Sequence, residues 1–158
     1  MISNIKNYTL DDVKRSIREF EELASQSEDV RALAVQITSG KINSVAAIYD
    51  WVKANVKYTP DPDEIELFIA PTKLVSDWNN HVPLAGDCDD IAMLVVALLR
   101  AVGVKTDVVL LDTTGGGPNH ALAVVHSEVL GKDIMVDAST DEVPLGWDIP
   151  YLTRVDIK

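Results

Sequence analysis

The chain has 158 residues, 47% of them hydrophobic, which suits one domain with its own core and excludes a disordered polymer. Its 14 basic residues against 25 acidic ones leave a net charge of −11, which argues against nucleic acid and against an anionic membrane surface, since both need a basic face. The single cysteine allows no internal disulfide, so a reducing compartment fits and the cytoplasm is the expected location.

Met1 to Lys6 carry no apolar leader, and the longest apolar stretch, Ile91 to Leu99, is too short to span a bilayer. Thr9 with Asp12 forms a capping-box pattern, opening a helix to about Ala24 with Val13, Ile17, Phe20 and Leu23 on one stripe. A second helix runs from Ser27 or Glu28 to about Ile37, and Ser39-Gly40 closes it. A third runs from Asn43 or Ser44 to Asn55. Val56-Lys57-Tyr58 then leads into Thr59-Pro60-Asp61-Pro62, which cannot be helix interior. Glu64 to Leu67 fits helix or strand, and Pro71 starts a short helix through Asp77. Gly86-Asp87-Cys88-Asp89-Asp90 precedes a helix to Ala101 that is apolar nearly all round and therefore buried, with Gly103 at its end. The period then becomes strand-like over Thr106 to Leu111, His120 to His126 and Lys132 to Asp137. An irregular tail with Pro144, Gly146 and Pro150 ends in a short strand at Leu152 to Ile157. Helices first and strands later predict an α+β fold with a small antiparallel sheet.

Cys88 falls in the first turn of the buried helix, with Asp87 as its cap and Asp90 three residues on. Unpaired N–H groups there favour a thiolate, the nucleophilic form, and can hold an oxyanion. Asp87, Asp89 and Asp90 oppose this unless they point away or are paired; one of Asp89 and Asp90 is expected to cap backbone or pair with a cation. A free cysteine is most often a small core residue, and both readings stand at this point. His120 follows Gly115-Gly116-Gly117-Pro118-Asn119, a loop expected to border a cleft and to be more mobile than the strands it joins. Asp137 ends an apolar strand and can orient an imidazole. Whether it meets His120 or His126 depends on the register: a tight turn at Gly131-Lys132 favours His126, and a longer loop favours His120.

Gly86-Asp87-Cys88-Asp89-Asp90-Ile91-Ala92 through Val104, then Asn119-His120-Ala121, then Val136-Asp137-Ala138-Ser139-Thr140, resembles the transglutaminase-like superfamily, related to the papain-like cysteine enzymes. Ile48 to Tyr58 and Pro71 to Val75 resemble it as well, so the likeness runs from about Val45 to Thr140. It implies one domain over 1–158: an N-terminal helical part at 1–43, the core at 44–140 and a tail at 141–158. It also implies a Cys88, His120 and Asp137 triad, which selects His120 over His126. An oxyanion donor should come from upstream, where Trp78, Asn79, Asn80 and His81 offer indole and amide N–H groups. Leu122 stands where many members carry an aromatic, and the linker between the second and third strands is longer than usual. Both departures leave the substrate open.

Members of the family cross-link proteins, hydrolyse peptide or amide bonds, or have lost activity. The expected function is therefore a cysteine hydrolase or acyl-transferase on protein or peptide substrates, through a thioester and without a cofactor. The alternative is a non-catalytic binding or structural module. Compact members with this Gly-Asp-Cys-Asp-Asp run and a tail like Pro144 to Trp147 resemble phage- and prophage-encoded proteins, for which an assembly role and virion association would apply. Asp87, Asp89, Asp90 and Asp112 lack the calcium-loop pattern, zinc ligands are too few, and no phosphate-loop lysine follows the glycines, so no metal is expected.

Overall fold

The computed structural model describes residues 2–6, as backbone, and 8–158; the leader reading falls partly on Met1, outside the described residues. Helix α1 (Leu10–Ser25) starts on the predicted capping box: Thr9 Oγ accepts the Asp12 N–H at 3.2 Å, and Asp12 Oδ2 accepts the Thr9 N–H at 2.9 Å. Helices α2 (Glu28–Thr38) and α3 (Ser44–Asn55) are capped by Ser27 and Asn43, and α4 (Pro71–Asn79) has proline at its start, where the missing N–H costs nothing. These four helices surround α5 (Cys88–Ala101), whose residues from Ile91 to Leu99 are all buried. Each large aliphatic side chain sealed there contributes about 1.5–3 kcal/mol.

Strands β5 (Thr106–Asp112), β6 (His120–Ser127), β7 (Lys132–Val136) and β8 (Thr153–Ile157) form one antiparallel sheet in the order β7-β6-β5-β8. Val108, Leu110, Ala121, Ala123, Val125 and Val136 face α5 and the helical core. Val109, Leu111, Leu122, Val124 and Met135 make a second apolar layer on the other face, where Ile149 of the tail covers them. Burial on both faces is why β5 and β6 read as continuous apolar runs instead of alternating ones.

Two small ladders lie apart from this sheet. Strand β1 (Ile2–Lys6) pairs antiparallel with β3 (Ile65–Ile69), so the ambiguous stretch after Asp63 is a strand. Strand β2 (Val56–Tyr58) pairs parallel with β4 (Leu84–Gly86), which sets Tyr58 opposite Gly86, two residues before Cys88. Among the described residues no helix is long and apolar enough to cross a membrane.

Candidate active site

The nucleophile candidate sits at the start of α5. Asp87 Oδ1 accepts the N–H groups of Asp89 and Asp90 at 3.1 and 3.3 Å, and Asp90 Oδ2 returns a bond to the Asp87 N–H at 3.1 Å. Asp90 Oδ1 also accepts the Ile69 N–H at 2.7 Å, tying α5 to β3. Asp90 thus caps backbone, as expected for one member of the pair. Asp89 does not: its Oδ1 lies 3.7 Å from the Cys88 sulfur.

His120 opens β6. Its Nε2 lies 2.6 Å from Asp137 Oδ2, which leaves Nδ1 available to the cleft it shares with Cys88. Asp137 is the first residue past β7. Its other oxygen accepts the Ser139 N–H at 3.0 Å and the Ser139 hydroxyl at 2.6 Å, an Asx-type turn that fixes the carboxylate. Burial would raise its pKa, but His120 and Ser139 outweigh burial and hold it below the usual carboxylate range. The role of Ser139 was missed in the sequence; its signal was the Asp-Ala-Ser triplet after the strand. His126 is engaged elsewhere, 2.8 Å from Asp133 and 2.8 Å from Asp107. The loop between β6 and β7 is the longer one, Ser127 pairing with Lys132, and this register carries Asp137 toward His120.

Cys88, His120, Asp87, Asp89, Glu66 and Tyr58 line a cavity of about 410 Å³. A larger hollow of about 700 Å³ lies beside α1 and β8, lined by Arg18, Glu21 and Arg100 among others, with no cysteine or histidine in its lining. Gly116, Gly117, Pro118 and Asn119 border the Cys88 cleft, as expected of this loop, whereas Gly115 packs toward Leu152. The loop is not held loosely. Asp112 accepts N–H bonds from Thr114, Gly115 and Gly117, and Asn119 bonds Thr113 through both side chain and backbone partners.

The expected oxyanion donors go elsewhere. Trp78, Asn79 and Asn80 are not in the lining of the cleft. Trp78 packs edge-on against Trp51, ring centroids 4.9 Å apart, because its place on α4 faces the core. Asn80 terminates α4 with its amide donating to the Ser76 carbonyl at 2.8 Å, and His81 follows in a left-handed conformation. Tyr58 stands in the cleft instead. Burial and then the neighbouring Cys88 raise its phenol pKa. Its placement comes from the β2–β4 pairing, which no sequence period signals.

The thiol does not behave as a helix end alone would make it. Burial first, then the Asp89 carboxyl, push the Cys88 thiol far up, while the Ala121 N–H beside it pulls the other way. The surrounding acids are displaced too. Asp87 is pushed up to about 7 by burial and then by Asp61, and Asp90 up to about 8 by burial and then by Asp87. Asp89 is raised well above the ordinary value by burial and then by its bond with Glu66. Away from the site, burial raises Glu21 to about 8.

Folded pKa values above the unfolded ones mean that the folded state holds extra protons. The resulting stability is complete below about pH 4 and is lost as pH rises through the folded values. The carboxylates with lowered values lose their contribution only at still lower pH. The melting temperature is therefore expected to fall steadily from pH 5 to pH 9, by calorimetry at constant ionic strength; a flat or rising profile contradicts this.

Asp61, Glu66 and Asp87 each place one oxygen within 4.8 Å of the others, close enough to share a hard cation. Of the acids weighed from sequence, Asp112 is spent on the glycine loop and Asp90 on its two backbone bonds.

The sequence model of the transglutaminase-like superfamily matches residues 31–131, about two thirds of the chain, a span that includes Cys88 and His120 and stops short of Asp137. The chain belongs to this superfamily. No curated protein matches it. Among solved structures, this transglutaminase-like chain is similar to a candidate cysteine protease from Cytophaga hutchinsonii, at 23% identity and a TM-score of 0.55, over 87% of this chain and 49% of that one. It is also similar to a candidate protease from Parabacteroides distasonis, at 19% identity and a TM-score of 0.55, over 80% of this chain and 26% of that one. The transglutaminase-like chain thus spans about half of the first structure and about a quarter of the second, and at these identities the likeness is one of fold.

Proposed function

We propose that this protein is a cysteine-dependent enzyme acting on amide or peptide bonds of protein or peptide substrates through a thioester. The observation that carries the reading is the 2.6 Å His120–Asp137 bond in a cleft shared with Cys88. A substrate carbonyl lies over the start of α5. As the sulfur attacks its carbon, the thiol proton passes to His120 Nδ1, and Asp137 stabilises the imidazolium without taking the proton. The oxyanion meets the Cys88 backbone N–H and the Tyr58 hydroxyl. The intermediate collapses to a thioester as the C–N bond breaks and His120 returns the proton to the leaving amine. Water, or a second amine, then attacks the thioester, gives its proton to His120, and the sulfur is released as the thiol. A thiol whose pKa is pushed up by burial and by Asp89 fits this order, in which His120 acts as a general base during attack.

The high thiol pKa also favours a second reading, a non-catalytic module on the same fold. The two separate in a trapping experiment. The protein is mixed with casein peptides, quenched in acid, and examined by intact mass. An acyl adduct on Cys88 that hydroxylamine removes, absent from Cys88→Ala, is expected. No adduct, together with iodoacetamide alkylation of Cys88 no faster than in His120→Ala, leaves the module reading standing.

A further inference from the structure

Asp137 stands at a weakly supported place in the fold. Among the described residues its strand, β7, has a strand neighbour on one side only, and the chain beyond Val136 is irregular until β8. The sheet alone does not aim a carboxylate there, yet Asp137 Oδ2 lies 2.6 Å from His120 Nε2. Ser139 bonds the other oxygen, but Ser139 belongs to the same irregular stretch and must itself be held. The next residue supplies the anchor. Lys53 Nζ donates to the Thr140 carbonyl at 2.8 Å.

Lys53 comes from the helical layer. It follows the fully buried Val52 on α3, and α3 packs against α5, the helix that carries Cys88. Tyr49 lies one turn earlier on the same face and is nearly buried. Its hydroxyl donates to the Val143 carbonyl at 3.4 Å, and Lys53 Nζ lies 5.5 Å from its ring centre. Helix α3 therefore grips the tail at two carbonyls just beyond Asp137. Lys53 also pairs with Asp141 at 2.7 Å, but Asp141 is 97% exposed, and an ion pair of that kind contributes little. The carbonyl bond is different in kind. The Lys53 side chain is only 23% exposed, and it gives up the rotamer freedom of a solvated lysine to direct its charge at a backbone oxygen.

We propose that Lys53 is a positioning residue for the reaction at Cys88: by holding the Thr140 carbonyl it fixes the turn from Asp137 to Thr140, and through it the carboxylate that orients His120. This rests on the reading of Cys88 as the nucleophile and His120 as its base. Lys53 is not in the lining of the Cys88 cleft, so it acts only through Asp137. Without its bond the turn relaxes, the contact between Asp137 and His120 loosens, and Nδ1 no longer meets the thiol at the angle that proton transfer needs.

The test compares Lys53→Met, Lys53→Arg and Asp141→Ala with the unmutated full chain. Two quantities are read: the low-field proton NMR signal of the His120 ring N–H bonded to Asp137, and the second-order rate of Cys88 alkylation by iodoacetamide near neutral pH. Methionine keeps the alkyl stem and removes the donor. It is expected to weaken or abolish the ring signal and to slow alkylation about tenfold. Arginine keeps a charged donor and should restore most of both. Asp141→Ala removes the exposed pair and leaves the carbonyl bond, so neither quantity should change. Melting temperatures check that each variant is folded, and Lys53→Leu is the second variant should the methionine chain fail to fold. A Lys53→Met protein that keeps the parent rate overturns the proposal, whether or not its ring signal changes. An equal loss in Asp141→Ala also overturns it, because the effect would then come from the ion pair. Alkylation of the unmutated chain no faster than that of His120→Ala overturns the nucleophile reading, and the part of Lys53 in a reaction with it, even where the ring signal depends on Lys53.

Discussion

Changing Asp137 to asparagine is expected to lower turnover by about 10³–10⁴-fold, although the two side chains have the same shape. The reason lies in the bonds around the carboxylate. Oδ1 is committed as an acceptor to the Ser139 N–H and hydroxyl, and Oδ2 faces His120 Nε2. An asparagine must place its amide oxygen toward Ser139, because a backbone N–H cannot accept. Its NH₂ group then points at Nε2, which can bond it only as an unprotonated nitrogen. The ring proton is forced onto Nδ1, the nitrogen on the cleft side, and the base is lost. Alanine at the same position removes the orienting bond without imposing the wrong tautomer, so Asp137→Ala should retain more activity than Asp137→Asn. Initial rates on any peptide the protein cleaves or acylates test the order. An asparagine variant with more than a tenth of the parent rate would show that Asp137 does not set the tautomer.

Changing Gly86 to alanine should destabilise the fold by about 2–4 kcal/mol, an overpacking cost joined to a damaged cap. A Cβ on Gly86 would lie 2.7 Å from Asp90 Cβ and 2.9 Å from Asp90 Oδ2. Asp90 cannot swing aside cheaply. It is 1% exposed, and its two oxygens hold the Asp87 and Ile69 N–H groups, so retreat would leave buried donors without partners. Gly116→Ala is the control. It also borders the cleft, but its nearest atom would be 3.9 Å away and its backbone conformation suits any residue, so a change within about 0.5 kcal/mol is expected. Denaturant unfolding of the two variants decides the matter, and a Gly86→Ala midpoint equal to that of Gly116→Ala would sink the argument.

The helices were legible because their signals are local. Thr9 and Asp87 cap the helices they were read to cap, the starts read as Ser27 or Glu28 and Asn43 or Ser44 have Ser27 and Asn43 as their caps, and the apolar circumference of the Cys88 helix announced its burial. The strands of the main sheet were legible as well, but not which acid meets which histidine. That depends on a loop length that periodicity does not encode, and the register of His126 with Asp133 decides it. The two small ladders escaped notice because each joins segments far apart in the chain, and with them went Tyr58. Trp78, Asn79 and Asn80 were chosen for closeness in sequence to Cys88, but α4 and the turn after it carry them away from the cleft. The direction of the thiol's shift stayed open because a helix terminus is visible in a sequence, while desolvation and the packing of Asp89 against the sulfur are not.

Helix α5 is enclosed by helices on several sides and by the sheet, so the sulfur at its tip is fixed by the same contacts that hold the domain together. If Cys88 is the nucleophile proposed above, natural drift or laboratory evolution can hardly retarget it by moving it, because any shift of the helix must repack the core. New substrates would have to be acquired at the rim, where Tyr8, Glu66 and the glycine loop can change without disturbing α5. A directed library confined to those positions should yield altered preferences in folded proteins, whereas one spread along α5 should yield mostly unfolded chains.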